Sequence, residues 1–349
     1  MRSGIVVTAR PGVEELAARA EQLGFTSFWV YDTPMVNGDP FVALALCAKA
    51  TSVIKLGIGV TSPALRSAPA AAAAVASLNA IAPGRVICGV GTGNTARRTL
   101  GMLPTTMDRL EAFTHALQDL TSGRETTYTE GTRTRDIRFL HVGPYVNTRD
   151  PVEFVVAAFG LKAAAIAGRL GAGIISFGLL APDVWTAFHG TRQEAAVAAG
   201  QPARADSYVM TSLHVLDDGE SRYGDLAKDS MGHVAMALLT FAADNPAFGD
   251  SLEPDEADAV RRLLQRRGTT ATAPDRHRSL YRNYLGRVDA GDRDLVVPSL
   301  VDKLALIGTR DELVERIATL ETAGIDEIVI QPVVDPDREM AVLAELMAG

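Results

Sequence analysis

Cysteine is nearly absent from this 349-residue chain: Cys47 and Cys88 are the only two. Without a C-x-x-C pair they exclude a disulfide scaffold and a thiolate metal site, and they fit a reducing cytoplasm. Basic residues are in deficit, 34 Lys and Arg against 42 Asp and Glu, for a net charge of −8. Nucleic acid and anionic membrane both demand a basic footprint, so neither is an expected partner. Long apolar runs are missing. The stretch 70–76 is too short and too weakly hydrophobic to span a bilayer. The opening MRSGIVVTARPG lacks the apolar core of a signal peptide, so a cytoplasmic location is the expectation. The six histidines, His115, His141, His189, His214, His233 and His277, show no H-E-x-x-H or H-x-H spacing, and no metal is expected. Neither a G-x-S-x-G elbow nor a G-x-x-x-x-G-K-[ST] loop occurs. What remains is globular: 47% hydrophobic and 22% charged, which excludes disorder as the main state.

Strand-like and helix-like patterns alternate along most of the chain. Residues 5–7, 25–31, 54–61, 85–90, 152–157, 173–177, 208–215 and 325–330 read as eight strands. Between them, 13–23, 40–50, 67–81, 108–120 and 161–170 have helical spacing, with Gly24 placed to close the first helix in a left-handed conformation. Thr309 and Glu312 form a capping box ahead of Leu313, Ile317 and Leu320. Three segments, ELAARAEQLGFTSFWVYD, AAAIAGRLGAGIISFG and ERIATLETAGIDEIVIQP, share a helix–Gly–strand rhythm. Eight such units predict an α/β fold, a (β/α)8 TIM barrel, with an open doubly wound sheet as the alternative. The expected organisation is a single barrel domain over 1–349 with a hairpin insertion near 121–148 and a helical cap over 217–298. The charged run 261–267 inside that cap reads as a solvated helix face.

Three places have residue types that suit ligand chemistry. Gly89-Val90-Gly91-Thr92-Gly93-Asn94 ends the fourth strand in glycines, which expose backbone N–H groups to a phosphate or flat ring; a plain tight turn explains it equally well. Its G-x-G-x-G spacing is not the dinucleotide fingerprint. Gly57 and Gly59 inside the third strand signal a bulge, or a kink that helps a barrel curve. Asp32 ends the second strand, at the face where barrel enzymes carry their chemistry, and is equally a turn residue ahead of Thr33-Pro34.

Four blocks carry a resemblance that runs over nearly the whole chain: LGFTSFWVYD, LGIGVTSPALRSAPAAAAAVASLNAIAPGRVICGVGTGN, EFVVAAFGLKAAAIAGRLGAGII and LALIGTRDELVERIATLETAGIDEIVIQP. The sequence resembles the bacterial luciferase-like superfamily, and within it the flavin- or F420-dependent reductases similar to methylene-tetrahydromethanopterin reductase. The resemblance implies a (β/α)8 barrel with its cofactor at the carboxyl ends of the strands. It implies a bulge at Ile58, Gly59 and Val60 behind the ring, with a non-prolyl cis peptide falling on Gly59-Val60. It places Gly91, Thr92, Gly93 and Asn94 at the ring and ribityl chain, and Ala158, Phe159 and Gly160 at the phosphate. Arg97 and Arg98, just past that loop, would meet an anionic tail, with a solvated helix start as the alternative. F420-dependent relatives commonly read Asp-His where this chain has Asp32-Thr33. Dehydrogenase-type relatives carry Glu where it has Asn94, and relatives often have two glycines where it has Ala158-Phe159-Gly160.

Asp32, Thr33 and Asn94 thus stand at the family's catalytic positions, but Thr33 and Asn94 are hydrogen-bonding groups rather than bases. That suits an oxidoreductase moving a hydride between F420 and a small organic substrate, by C=C or C=N reduction, better than alcohol oxidation. The alternatives are an FMNH2-dependent monooxygenase served by a separate flavin reductase, and a non-catalytic flavin-binding protein. The resemblance also implies a homodimer. From the cap, Tyr281 and Arg282 or Arg287 could reach a ligand from above, with surface placement the favoured reading for each.

Overall fold

The computed structural model describes residues 1–270 and 273–348. Its strands are β1 (Arg2–Val7), β2 (Ser27–Val30), β3 (Lys55–Thr61), β4 (Val86–Val90), β5 (Thr126–Glu130), β6 (Arg133–Ile137), β7 (Glu153–Ala157), β8 (Gly173–Phe177), β9 (Ser207–Val215), β10 (Ala305–Gly308) and β11 (Glu327–Ile330). The helices are α1 (Val13–Gln22), α2 (Pro40–Ala50), α3 (Ala68–Ile81), α4 (Asn94–Arg98), α5 (Met107–Thr121), α6 (Leu161–Arg169) and α7 (Pro182–Ala198). They continue with α8 (Asp225–Asp244), α9 (Pro254–Arg267), α10 (Arg276–Leu280), α11 (Pro298–Leu304), α12 (Arg310–Thr322) and α13 (Pro336–Ala348). Among these, α4, α7, α13 and β10 carry no expectation from the sequence pattern.

Eight parallel strands run in the order β11–β1–β2–β3–β4–β7–β8–β9, and β9 pairs back onto β11. This closure makes the fold a (β/α)8 barrel and eliminates the open sheet. The second half of β9, from Ser212 to Val215, pairs with β10 instead. Two predicted strand starts fall short for one reason. Gly24 and Gly324 have φ of +86° and +97°, and the residue after each donates its N–H back into the preceding helix, Phe25 to Ala20 O and Ile325 to Leu320 O. Both residues therefore complete helix caps, and β2 and β11 begin at Ser27 and Glu327.

Period-two alternation divides the apolar residues between two layers. Val6, Trp29, Ile87, Val155, Ile175, Tyr208, Met210 and Val329 fill the barrel interior. Ile5, Phe28, Val30, Leu56, Ile58, Cys88, Val156 and Ile328 face the helices. The amino-terminal end of the barrel is closed by polar groups: Trp29 Nε1 donates to Ser27 Oγ (2.6 Å), the Ser27 hydroxyl to Glu327, and the Tyr208 hydroxyl to Glu153. Ligands are left the carboxyl end. Residues 126–137 form an antiparallel hairpin turned at Gly131, φ +59°. The described residues of 217–298 are mainly helical and share a core with α11 and β10. No described helix is long and apolar enough to cross a membrane, and no group of three potential ligands to a metal occurs among the described residues.

Candidate active site at the barrel mouth

The alternation of β2 decides which of its terminal residues meet the mouth. Trp29 and Tyr31 belong to the interior and Phe28 and Val30 to the helix layer, and Asp32 follows just past the strand. Asp32 is 3% exposed, its carboxylate 3.6 Å from Arg66 Nε, and neither oxygen accepts a hydrogen bond. Burial pushes its carboxyl up, against the opposing pull of Thr61 and Arg66. Arg66 is itself held by Asp39 (2.6 Å) and lies over the Phe41 ring, 4.7 Å from its centre. Asp32 thus sits beneath the loop that follows β3. Thr33 is buried beside it, its carbonyl accepting the N–H groups of Val36 and Asn37 at 3.2 Å.

The ends of β3 and β4 form a bulge. The Gly59–Val60 peptide is cis, where the resemblance puts it, and the register with β4 slips between Ile58 and Thr61. Glycines make room for this. A Cβ on Gly89 would overlap the Ile58 carbonyl oxygen and come within 2.7 Å of Val60 Cγ1. One on Gly91 would meet Val60 Cγ2 at 2.8 Å, and one on Gly59 would meet Met210 Cε at 2.9 Å. Gly59 and Gly91 border the interior, where Val60 and Ala157 pack against its core, whereas the Ile58 side chain is wholly buried toward the helices. Gly93, at φ +71°, turns the chain into α4, and the Thr92 carbonyl accepts the Thr105 N–H (3.0 Å).

Asn94 does not project a free side chain. Its Oδ1 accepts from Arg98 Nε (2.8 Å), and Arg98 continues to Asp244 (3.0 Å) on α8. Arg97 donates to the Leu103 carbonyl (3.2 Å). On the far side of the mouth, Ala158 is buried, while Phe159 is 66% exposed and Gly160 begins α6 with no side-chain cap. The first turn of α6, Leu161 and Lys162, lies open to solvent, which leaves a helix amino terminus able to receive an anion.

In the cap, Arg282 and Arg287 are exposed, the placement the sequence favours for them, whereas Tyr281 is buried. Tyr281 turns inward to Asp244 (3.3 Å), Arg282 stands 3.9 Å from Asp289, and Arg287 pairs with Asp229 (2.7 Å). Tyr284 and Leu285 reach the barrel interior instead. Leu285 packs with the interior residues, and Gln331, just past β11, donates to its carbonyl (2.7 Å) while accepting from the Tyr31 hydroxyl (3.0 Å). The Tyr284 hydroxyl is 3.3 Å from Thr95 Oγ1. Tyr31 and Gln331 were readable in principle as the inward residues at two strand ends. Tyr284 and Leu285 have no local pattern that marks them.

The carboxyl end therefore brings together the bulge with Met210 packed against Gly59, uncharged hydrogen-bonding groups from Tyr31, Gln331, Thr95 and Tyr284, and an exposed helix amino terminus at Phe159-Gly160. A family model described as luciferase-like monooxygenase matches residues 6–327. The chain is 24% identical over 326 residues to a 5,10-methylenetetrahydromethanopterin reductase of Archaeoglobus fulgidus, covering 93% of this chain and 90% of that one. It is 28% identical over 257 residues to a limonene 1,2-monooxygenase of Rhodococcus erythropolis, 69% and 63% of the two chains. The coenzyme F420 dependent tetrahydromethanopterin reductase of Methanopyrus kandleri superposes with a TM-score of 0.68 at 19% identity, over 99% of this chain and 97% of that one, a likeness of fold.

Proposed function

Since the chain belongs to the luciferase-like monooxygenase family, we propose that it is an oxidoreductase that uses F420 to reduce a C=C or C=N bond of a small organic substrate. When bound, such a cofactor supplies the hydride. The observation that carries the reading is what stands at the family's proton-transfer positions: Thr33 and Asn94 are hydrogen-bonding groups rather than bases, and Asn94 is bound by Arg98. Asp32 lies against Arg66. Burial pushes the Tyr31 phenol up, so it remains a neutral hydrogen-bond donor. Reduction of a polarised double bond needs orientation and one proton, which a hydroxyl or solvent supplies, whereas oxidising an alcohol needs a base.

In this reading, the bulge at Ile58, Gly59 and Val60 backs the ring, and Gly91, Thr92 and Gly93 line its edge. Ala158, Phe159, Gly160 and the start of α6 receive the phosphate, and Arg97 lies toward the acidic tail. Asp32 serves by holding the loop after β3 through Arg66. Similarity to a limonene monooxygenase favours a second reading, an FMNH2-dependent monooxygenase fed by a reductase. Quenching titrations of the purified chain with F420 and with FMN separate the two. Micromolar or tighter F420 binding with much weaker FMN binding is the expected outcome. A preference for FMN would move the assignment to the monooxygenase.

A further inference from the structure

The mouth just described is not open: the chain itself stands in it. Leu285 is only 6% exposed, although it belongs to a surface insertion, because its side chain enters the barrel among the interior residues. The segment that carries it has an unusual backbone. Asn283 and Leu285 both have left-handed φ, +57° and +61°, a conformation that L residues other than Asn and Asp rarely hold without outside constraint. Asn283 is held within the insertion, by its bonds to the Arg287 carbonyl and Asp289. For Leu285 the constraint comes from the barrel, through the Gln331–Leu285 bond, itself backed by Tyr31, and through the Thr95–Tyr284 contact next to it.

On both flanks the insertion is fixed by other means. Tyr281 and Arg98 meet on Asp244 before the segment, and Arg287 and Arg293 grip Asp229 after it. The span 282–286 lies between two firm anchors and meets the fold outside the insertion through two uncharged contacts, Gln331–Leu285 and Thr95–Tyr284, and through the packed side chains of Tyr284 and Leu285.

We propose that Tyr284 and Leu285 form a built-in plug, which fills the barrel mouth and withdraws when a flat heteroaromatic ligand enters. Gln331 is the latch. Withdrawal breaks its bond to the Leu285 carbonyl and frees the left-handed Leu285 to relax, while the anchors at Asp244 and Asp229 stay closed. The inference rests on the cofactor class assigned above.

Hydrogen exchange of the full-length protein, with and without saturating F420 or FMN, tests it on peptides spanning 281–288. Bound cofactor is expected to speed exchange there about tenfold, with α8 unchanged. Gln331→Leu should open the same peptides without ligand. It should also tighten cofactor binding about threefold or more, because a larger fraction of molecules is competent to bind. Cofactor bound with exchange of 281–288 unchanged or slower would overturn the plug alone. If Gln331→Leu opens the segment and neither cofactor binds either form, the cofactor reading falls and takes the plug with it. Should that variant not fold, the wild-type exchange data decide.

Discussion

His233 lies fully buried between α8 and β9, with Nε2 3.3 Å from the Ser212 hydroxyl and no partner for Nδ1. Burial pushes its imidazole down to about 3. The unfolded chain takes up this proton near pH 6.5, and the folded chain does not until the pH nears that depressed value. Across this window the unfolded state binds more protons, so stability is complete above about pH 6.5 and is lost as the pH falls. His233→Gln removes that term. Urea unfolding between pH 7 and 5 should show the wild type losing stability faster than the variant, by up to roughly 1 kcal/mol per pH unit. Parallel slopes would mean that the ring is hydrated in the folded state. At Asp32 the same scale explains a shift of role. The residue type and its place at a strand end were legible, but the Arg66 guanidinium 3.6 Å from its carboxylate was not.

At the scale of elements, the β3–β4 pairing is the part of the site most plainly written in the sequence. Glycines inside strands are costly unless something presses against them, and here Val60 and the Ile58 carbonyl press on Gly89. Gly89→Ala is therefore expected to force the bulge out of register. Stability should fall by about 1–3 kcal/mol, as in other overpacked cores, and binding of the ring should weaken at least tenfold by the same fluorescence titration. Unchanged binding with unchanged stability would mean that the bulge does not back the ring. The helix–Gly–strand rhythm was equally legible because its causes lie within a few residues, as the caps at Gly24 and Gly324 show. Strand β10 was not, since Ala305–Gly308 becomes a strand only by meeting the distal half of β9.

For the whole molecule, the question is how an insertion between β9 and β10 is held above a barrel. Its described residues use charge as well as apolar packing. Asp229 is buried on α8 between Arg293 (2.6 Å) and Arg287 (2.7 Å), and Arg267 meets Asp292 at 2.7 Å. Burial raises the Asp229 carboxyl, but the two guanidiniums more than offset it and hold it below the ordinary range. Asp229→Ala strands two arginines that still reach solvent. The cost should therefore be about 1–3 kcal/mol, less than for a wholly buried pair. Calorimetric melting should show a lowered Tm, with faster hydrogen exchange in α8 and not in β1–β4. A melting curve that does not move would leave the insertion held by its apolar core alone.

The sequence by itself determined the alternation of strands and helices, the glycines of the bulge and, through four motif blocks, the family it resembles. The first two follow from periodicity and from local backbone demands that neighbouring residues impose. Only the tertiary structure decided which side chains meet at the mouth. The closure of β9 onto β11 brings Gln331 beside Tyr31, some three hundred residues apart in the chain. The path of the insertion then sets Tyr284 and Leu285 between the anchors at Asp244 and Asp229. Such contacts join positions with no shared local pattern, and their energies depend on burial that exists only once the chain has folded.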